Sequence, residues 1–405
     1  MKAYERFITY VKTHTASSET SESVPSSECQ FTLCHMLADE MRAIGVEGVY
    51  EDEHAYVYGF IPASEGYENK PCIGFIAHLD TIPDFPGENV RPQLIENYDG
   101  GDVALGTSGR SLTVEKFPHL PTLKGQTLIT TDGTTVLGAD DKAGIAAIMT
   151  AAERIIAEKL PHGRIAICFT PDEEIGHGAA LLDLERMGAD FAYTVDGEEL
   201  SEINYETFNA AAAKWEVNGF NIHPGSAKNM MINASLVAME INSMLPSGDT
   251  PAHTEGYEGF FHLTDMSGTV EKAALSYIIR DHNAAAFEQR IKTMEHIETL
   301  INEKYGEGTA VLTIHRQYRN MRELIGEHME IVELAERALR REGIEPVTAP
   351  VRGGTDGAQL TFRGLLCPNI GTGGYSCHGP YEHITAEHLE SAARIVMNII
   401  DENLK

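Results

Sequence analysis

Apolar positions along this chain follow two periods, and the switches between them mark its elements. Tyr4, Phe7, Ile8 and Val11 have the three-and-four spacing of a short helix. Leu33, Met36, Leu37, Met41 and Ile44 form a second helical stripe. Ser27, with Gln30 three residues on, predicts a capping-box start for it, and Gly45 predicts its stop. The apolar runs 72–77, 164–170 and Phe191–Val195 predict strands buried in a sheet. Residues 81–135, rich in Pro, Gly and Asn, predict loops and short strands. After Gly138, the positions Ile145, Ile148, Met149, Ala152, Ile155, Ile156 and Leu160 predict a long amphipathic helix. Strand, helix, strand, loop, strand in this order is an α/β pattern.

The texture changes near residue 208. Segments 213–217 and 259–280 alternate, with Leu275, Tyr277 and Ile279 on one face, as in a sheet covered on one side. Phe287, Ile291, Met294, Ile297 and Ile301 mark a helix capped by Asn283, another helix is expected at 229–244, and 309–314 is a further strand. Two helices on one face of an antiparallel sheet make an α+β sandwich. From about 320 the α/β texture returns, with helices near 327–341 and 386–400. The expected organisation is an α/β domain formed by residues 1–207 and 319–405, interrupted by an inserted α+β domain at 208–318.

Composition narrows the function classes. A chain of 405 residues suits such a two-domain arrangement. Lys and Arg number 31 against 61 Asp and Glu, a formal charge of −30, which repels nucleic acid and anionic membrane surfaces alike. No apolar stretch is long enough to span a bilayer, and the first residues lack the apolar core of a secretory leader. The six cysteines form no CxxC pair, and Cys72 and Cys168 fall inside buried runs. That pattern is neither a disulfide framework nor a zinc knuckle, and a reducing cytoplasm is the simplest compartment.

Polar residues gather where the apolar strands end. His78 and Asp80 come directly after the 72–77 run and share a face, as a metal-bound imidazole and its orienting carboxylate would, or as a strand-end turn. Asp140 and Asp141 precede the long helix, where one carboxylate serves as an N-cap and two are more than a cap needs. Asp172, Glu173 and Glu174 come after the 164–170 run, between Pro171 and Gly176. There one carboxylate suits a metal and its neighbour a general base, the alternative being a solvated acidic loop. Asp196 ends the Phe191–Val195 run, and His378 lies in the Gly-rich segment 373–382. Ligand-type side chains at the exits of α/β strands converge on one crevice, and two His with at least three carboxylates suffice for a two-metal centre. Mixed N and O donors suit Zn²⁺, with Co²⁺ or Mn²⁺ as substitutes.

This arrangement resembles the co-catalytic metallopeptidases of the aminoacylase and carboxypeptidase G2 type. The resemblance runs over essentially the whole chain and is densest at 74–80, 125–133, 137–145, 169–174 and 352–360. It implies a di-zinc exopeptidase domain, its mixed sheet flanked by helices, with an inserted α+β lid and dimerisation domain. It implies that His78 and Asp196 hold one zinc, Glu174 and His378 the other, and Asp140 bridges them, with a cis peptide between Asp140 and Asp141. Glu173 is then the general base for a zinc-bridging water, and Asp80 orients His78. His223 resembles the family histidine that steadies the oxyanion, often from a partner subunit. Arg280 and Arg352 are candidates for binding the peptide carboxylate. The implied activity is release of the N-terminal residue from tripeptides, in a cytoplasmic enzyme that forms a homodimer through the inserted domain. A dipeptidase or N-acyl-amino-acid deacylase would use the same parts, and a non-catalytic peptide-binding protein would lack one of them.

Overall fold

Strand Ile73–His78 lies at the centre of a seven-stranded sheet in this computed structural model, which describes residues 1–405. The order across the sheet is Glu47–Glu51, Val57–Ile61, Ile165–Thr170, Ile73–His78, Phe191–Val195, Asn369–Ile370 and Ile203–Asn204. The inner pairings are parallel and the outer ones antiparallel, so the sheet is mixed. Alternate residues of the inner strands face opposite layers. Phe75, Ile165 and Ile167 meet Ile148, Ile155, Val396 and Ile400 of helices Ala139–Glu158 and Ala386–Glu402. Ile76, Ala166, Cys168 and Ala192 pack with Leu182, Leu360 and Cys367. Burial on both faces is why these strands read as unbroken apolar runs, and truncating one such residue to Ala costs about 2–5 kcal/mol.

This sheet belongs to the first of two units, formed by Met1–Tyr205, Glu323–Ala349 and Thr355–Lys405. Its first helix, Ala3–Tyr10, buries Ala3, Phe7 and Tyr10 together with Arg6, whose guanidinium is paired with Glu40 and Glu153. The next helix runs Gln30–Ile44 with Cys29 at its N-cap position, two residues later than a Ser27 cap predicts. The expected capping box is absent because both side chains bond elsewhere. Ser27 Oγ donates to the Ala16 carbonyl at 2.5 Å, and Gln30 Nε2 donates to Asp172 Oδ1 at 2.6 Å. Gly45 ends the helix with φ of 96°. In helix Ala139–Glu158 the first carboxylates depart from helical geometry, and the Asp140–Asp141 peptide is cis. Gly144 packs directly on the sheet, since a Cβ there would stand 1.8 Å from the Val195 carbonyl oxygen.

The second unit comprises Glu206–Arg322 with the short returning segment Pro350–Gly354. Its antiparallel sheet has the order Phe260–Gly268, Lys272–Asp281, Asn209–Asn218, Ala310–Tyr318. Trp215, Leu275, Tyr277 and Ile279 form one core with Val237 and Ile241 of helix Ala234–Met244 and Ile291 and Met294 of helix Ala284–Tyr305. The latter helix is capped by Asn283, which accepts the Ala286 N–H at 2.9 Å. The former starts at Ala234 rather than near 229. Asn233 takes the cap position, accepting from Ser235 and Leu236, and Asn229 has φ of 62°, incompatible with a helix. All six thiols of the chain are free. No helix is long and apolar enough to cross a membrane.

Candidate metal centre

Three parallel strands of the first unit end at one sheet edge. His78 pairs in register with Thr170, and Phe191–Val195 runs alongside the same central strand. The strand ends therefore deliver their polar residues to one place: His78 itself, the turn after Thr170, and Asp196 after Val195.

His78 is buried, and both ring nitrogens face carboxylates. Nε2 lies 2.9 Å from Asp140 Oδ1, and Nδ1 lies 3.3 Å from Asp80 Oδ1. The other oxygen of Asp140 meets His378, with Oδ2 3.0 Å from His378 Nε2. The same imidazole nitrogen is 3.1 Å from Glu174 Oε2. One carboxylate thus stands between two imidazoles. The donor atoms of His78, Asp140 and Glu174 lie within 4.8 Å of one another, as do those of His78, Asp141 and Asp196. Asp141 already accepts the backbone N–H groups of His78 and Gly144, at 3.2 and 3.1 Å, whereas Asp140 points both oxygens at imidazoles.

The turn that carries Glu173 and Glu174 is held on two sides. Asp80, fully buried, accepts the Glu173 and Glu174 N–H groups at 3.0 and 3.2 Å. Asp172, with φ of 55°, accepts from Ser26 N, Ser26 Oγ and Gln30 Nε2. The segment is a fixed turn and not a solvated acidic loop.

Burial and crowded charge set the electrostatics. Burial, with the Asp140 charge beside it, pushes the Asp196 carboxyl up to about 8. Burial likewise holds Glu173 well above the usual range, and Asp356 and Asp196 add to it while His78 opposes. Burial would raise Asp140 too, but its contacts with His378 and His78 bring it below the ordinary value. His378 is pushed up to about 11 by Asp140 and Glu174. The carboxylates here outnumber the two imidazoles, and such an excess of negative charge suits divalent cations.

Three buried residues here have no role in the sequence reading. Asp356 starts helix Asp356–Phe362 and accepts from Thr170 Oγ1 at 3.0 Å. Burial pushes its carboxyl up to about 7. Lys142 donates to the Thr13 carbonyl at 2.9 Å, and Glu382 bonds the segment before Asp140. Asp356 and Glu382 come at short spacing after named motif residues, which is the one signal that pointed to them. Cys377, beside His378, is kept a neutral thiol by burial and by the Asp140 charge, and His378 makes the contacts with Asp140 and Glu174. Glu198 and Glu199 are exposed.

The other predicted residues lie in the second unit. His223 is exposed, and its Nδ1 accepts the Gly225 N–H at 3.1 Å, which leaves the proton on Nε2. Arg280 donates to the carbonyls of Ala211 and Ile279 and sits over the Tyr318 ring. It makes no pair with Asp281, which is taken by Arg290. Arg352 has both Nη groups on Thr254, Gly256 and Glu258 and stacks over Phe208 and Phe260.

Comparison with known proteins gives this geometry its family. The model of peptidase family M20/M25/M40 matches residues 135–402. The chain belongs to this family. A peptidase T of Clostridium perfringens strain 13 (Type A) is 53% identical over 400 residues, covering 98% of each chain. The structure is similar to that of aminopeptidase PepT from Bacillus cereus ATCC 10987, with a TM-score of 0.79 at 23% identity, over 100% of this chain and 98% of that one. It is also similar to the YXEP protein of Bacillus subtilis, a dinuclear metal-binding peptidase of the M20 family, with a TM-score of 0.66 at 16% identity, over 98% and 97% of the two chains. The M20/M25/M40 fold is thus present from end to end.

Proposed function

We propose that this M20 peptidase is a metal-dependent aminopeptidase that releases the N-terminal residue of tripeptides. Near-full-length identity of about half to a peptidase T supports the substrate class. The observation that carries the chemistry is Asp140, with one oxygen toward His78 and the other toward His378. The donor set fits two divalent ions: His78 and Asp196 for one, Glu174 and His378 for the other, Asp140 between them. Nitrogen and carboxylate donors suit Zn²⁺, with Co²⁺ or Mn²⁺ as substitutes. When bound, the pair supplies an acidified water and polarises the scissile carbonyl.

The chain's own groups do the rest. Asp80 fixes the His78 ring and the turn before the base. Glu173, half-buried and of raised basicity, accepts the proton of the attacking water and returns it to the leaving amine. His223, with its proton on Nε2, is assigned to the oxyanion. Arg280 is assigned to the peptide carboxylate, because both Nη groups of Arg352 are occupied whereas the carbonyl contacts of Arg280 engage Nη1 alone. We assign the homodimer contact to helix Ala234–Met244 and edge strand Phe260–Gly268, where Leu236, Met239 and Met266 are exposed. Free thiols and the lack of a membrane-crossing helix fit a cytoplasmic enzyme.

The test is hydrolysis of an unblocked tripeptide beside the matching dipeptide, tetrapeptide and N-acetyl tripeptide, with chelator and with zinc added back. Cleavage of the free tripeptide alone, lost with chelator and restored by zinc, is the expected result. Turnover of the dipeptide or the blocked peptide instead would move the protein to the dipeptidase or deacylase branch. Metal binding without turnover of any peptide would leave a binding protein.

A further inference from the structure

Glu382 lies four residues after His378 and has no part in the proposed reaction. Its side chain is buried and reaches the residues that lead into Asp140. Oε2 accepts the backbone N–H groups of Leu137 and Gly138, at 2.6 and 2.7 Å. Oε1 accepts that of Asp140 at 3.0 Å. Three donors converge on two oxygens, and an ionised carboxylate is the side chain that presents acceptors only. Gly138 takes φ of 78° in the turn that aims these groups. The next residue, His383, exchanges backbone hydrogen bonds with Tyr375, at 2.9 and 3.1 Å, closing the loop that carries His378.

We propose that Glu382 is a positioning residue for the metal pair. It ties the segment presenting Asp140 to the loop presenting His378, and so sets the bridging carboxylate against the second imidazole before any ion binds. The inference rests on the assignment of Asp140 and His378 as ligands. The Asp140 N–H is itself one of the three donors, so a change at Glu382 acts on the bridging residue without an intermediary. Outer partners of metal ligands typically carry 10–100-fold in metal affinity or activity.

The experiment is calorimetric titration of Zn²⁺ into the metal-stripped full chain, for wild type, Glu382→Gln and Asp140→Asn. Glu382→Gln keeps the shape but turns an NH₂ group toward at least one of the backbone donors. Its zinc affinity is expected to fall about 10–100-fold, with tripeptide kcat low at limiting zinc and largely restored at saturating zinc, and KM within about twofold of wild type. A variant that melts earlier yet binds zinc with wild-type affinity would reduce Glu382 to a loop staple and overturn the inference. Glu382→Asp keeps the charge one methylene short and is expected to fall between wild type and Glu382→Gln. Failure of both variants to fold at saturating zinc would also overturn the positioning role. Zinc binding unchanged in Asp140→Asn would instead overturn the ligand assignment beneath it.

Discussion

Asp80 accepts the backbone N–H of Glu173 at 3.0 Å while its carboxylate faces the ring of His78. One buried side chain therefore registers a proposed ligand against the proposed base. Asp80→Asn keeps the volume but places an amide NH₂ where an acceptor is needed, against either a backbone N–H or the imidazole. The expected result is a fall in kcat of about 10–100-fold at saturating zinc. Steady-state kinetics on a tripeptide check it, and wild-type kcat would show that Asp80 orients nothing that matters.

Glu173→Gln removes the proposed proton acceptor and leaves the contacts among His78, Asp140, Glu174 and His378 in place. The rate should fall by about 10²–10⁴-fold with metal content unchanged. Atomic absorption and kcat on the same sample separate the two effects. A loss of metal in parallel with the rate would assign Glu173 to coordination.

Metal removal should weaken the fold as well as the activity. Asp140, Glu174 and Asp196 crowd one site, and ions that bind only the folded chain stabilise it by about 2.7 kcal/mol at a hundred times Kd. Scanning calorimetry before and after chelation should show a lower Tm that zinc restores. An unchanged Tm would mean that the site holds no tightly bound ion.

The pair His119 and His383, outside the proposed ligand set, gives a pH dependence of its own. Their Nε2 atoms are 2.8 Å apart, and His383 Nδ1 bonds the Tyr381 carbonyl at 2.7 Å. Burial, with His119 adding, lowers His383 from 6.5 to about 4, and burial lowers His119 as well. The unfolded chain thus binds more protons than the folded one between about pH 6.5 and 4, so stability is full above that window and declines as pH falls through it. The His383 part amounts to about 3 kcal/mol. Tm measured from pH 7 to 4.5 should drop more steeply in wild type than in His383→Asn, and equal slopes would sink the assignment.

Much of this could be read from periodicity because the inner strands are covered on both faces and the inserted sheet on one. His78 and Asp196 stood out because an ionisable residue closing an apolar run has few purely structural uses, whereas Asp140, Glu174 and His378 were assigned through the family resemblance. The start of helix Gln30–Ile44 was misplaced because Gln30 bonds Asp172, a partner 142 residues away that local pattern cannot supply. Helix Asp356–Phe362 was hidden by Gly357 and by its length of 7 residues. Arg352 read as a free fork because the carbonyls that hold it come from residues 254–258, remote in sequence.

Gly144 meets the Val195 carbonyl with no room for a methyl group. Asp196 comes directly after that carbonyl, and Asp140 lies one turn before the glycine. The separation of these two carboxylates is accordingly gauged by main chain against main chain, as by a machinist's stop. Side-chain exchange elsewhere at the strand ends leaves that gauge unchanged. The spacing of these two proposed ligands is in this way a fixed datum, set by main chain.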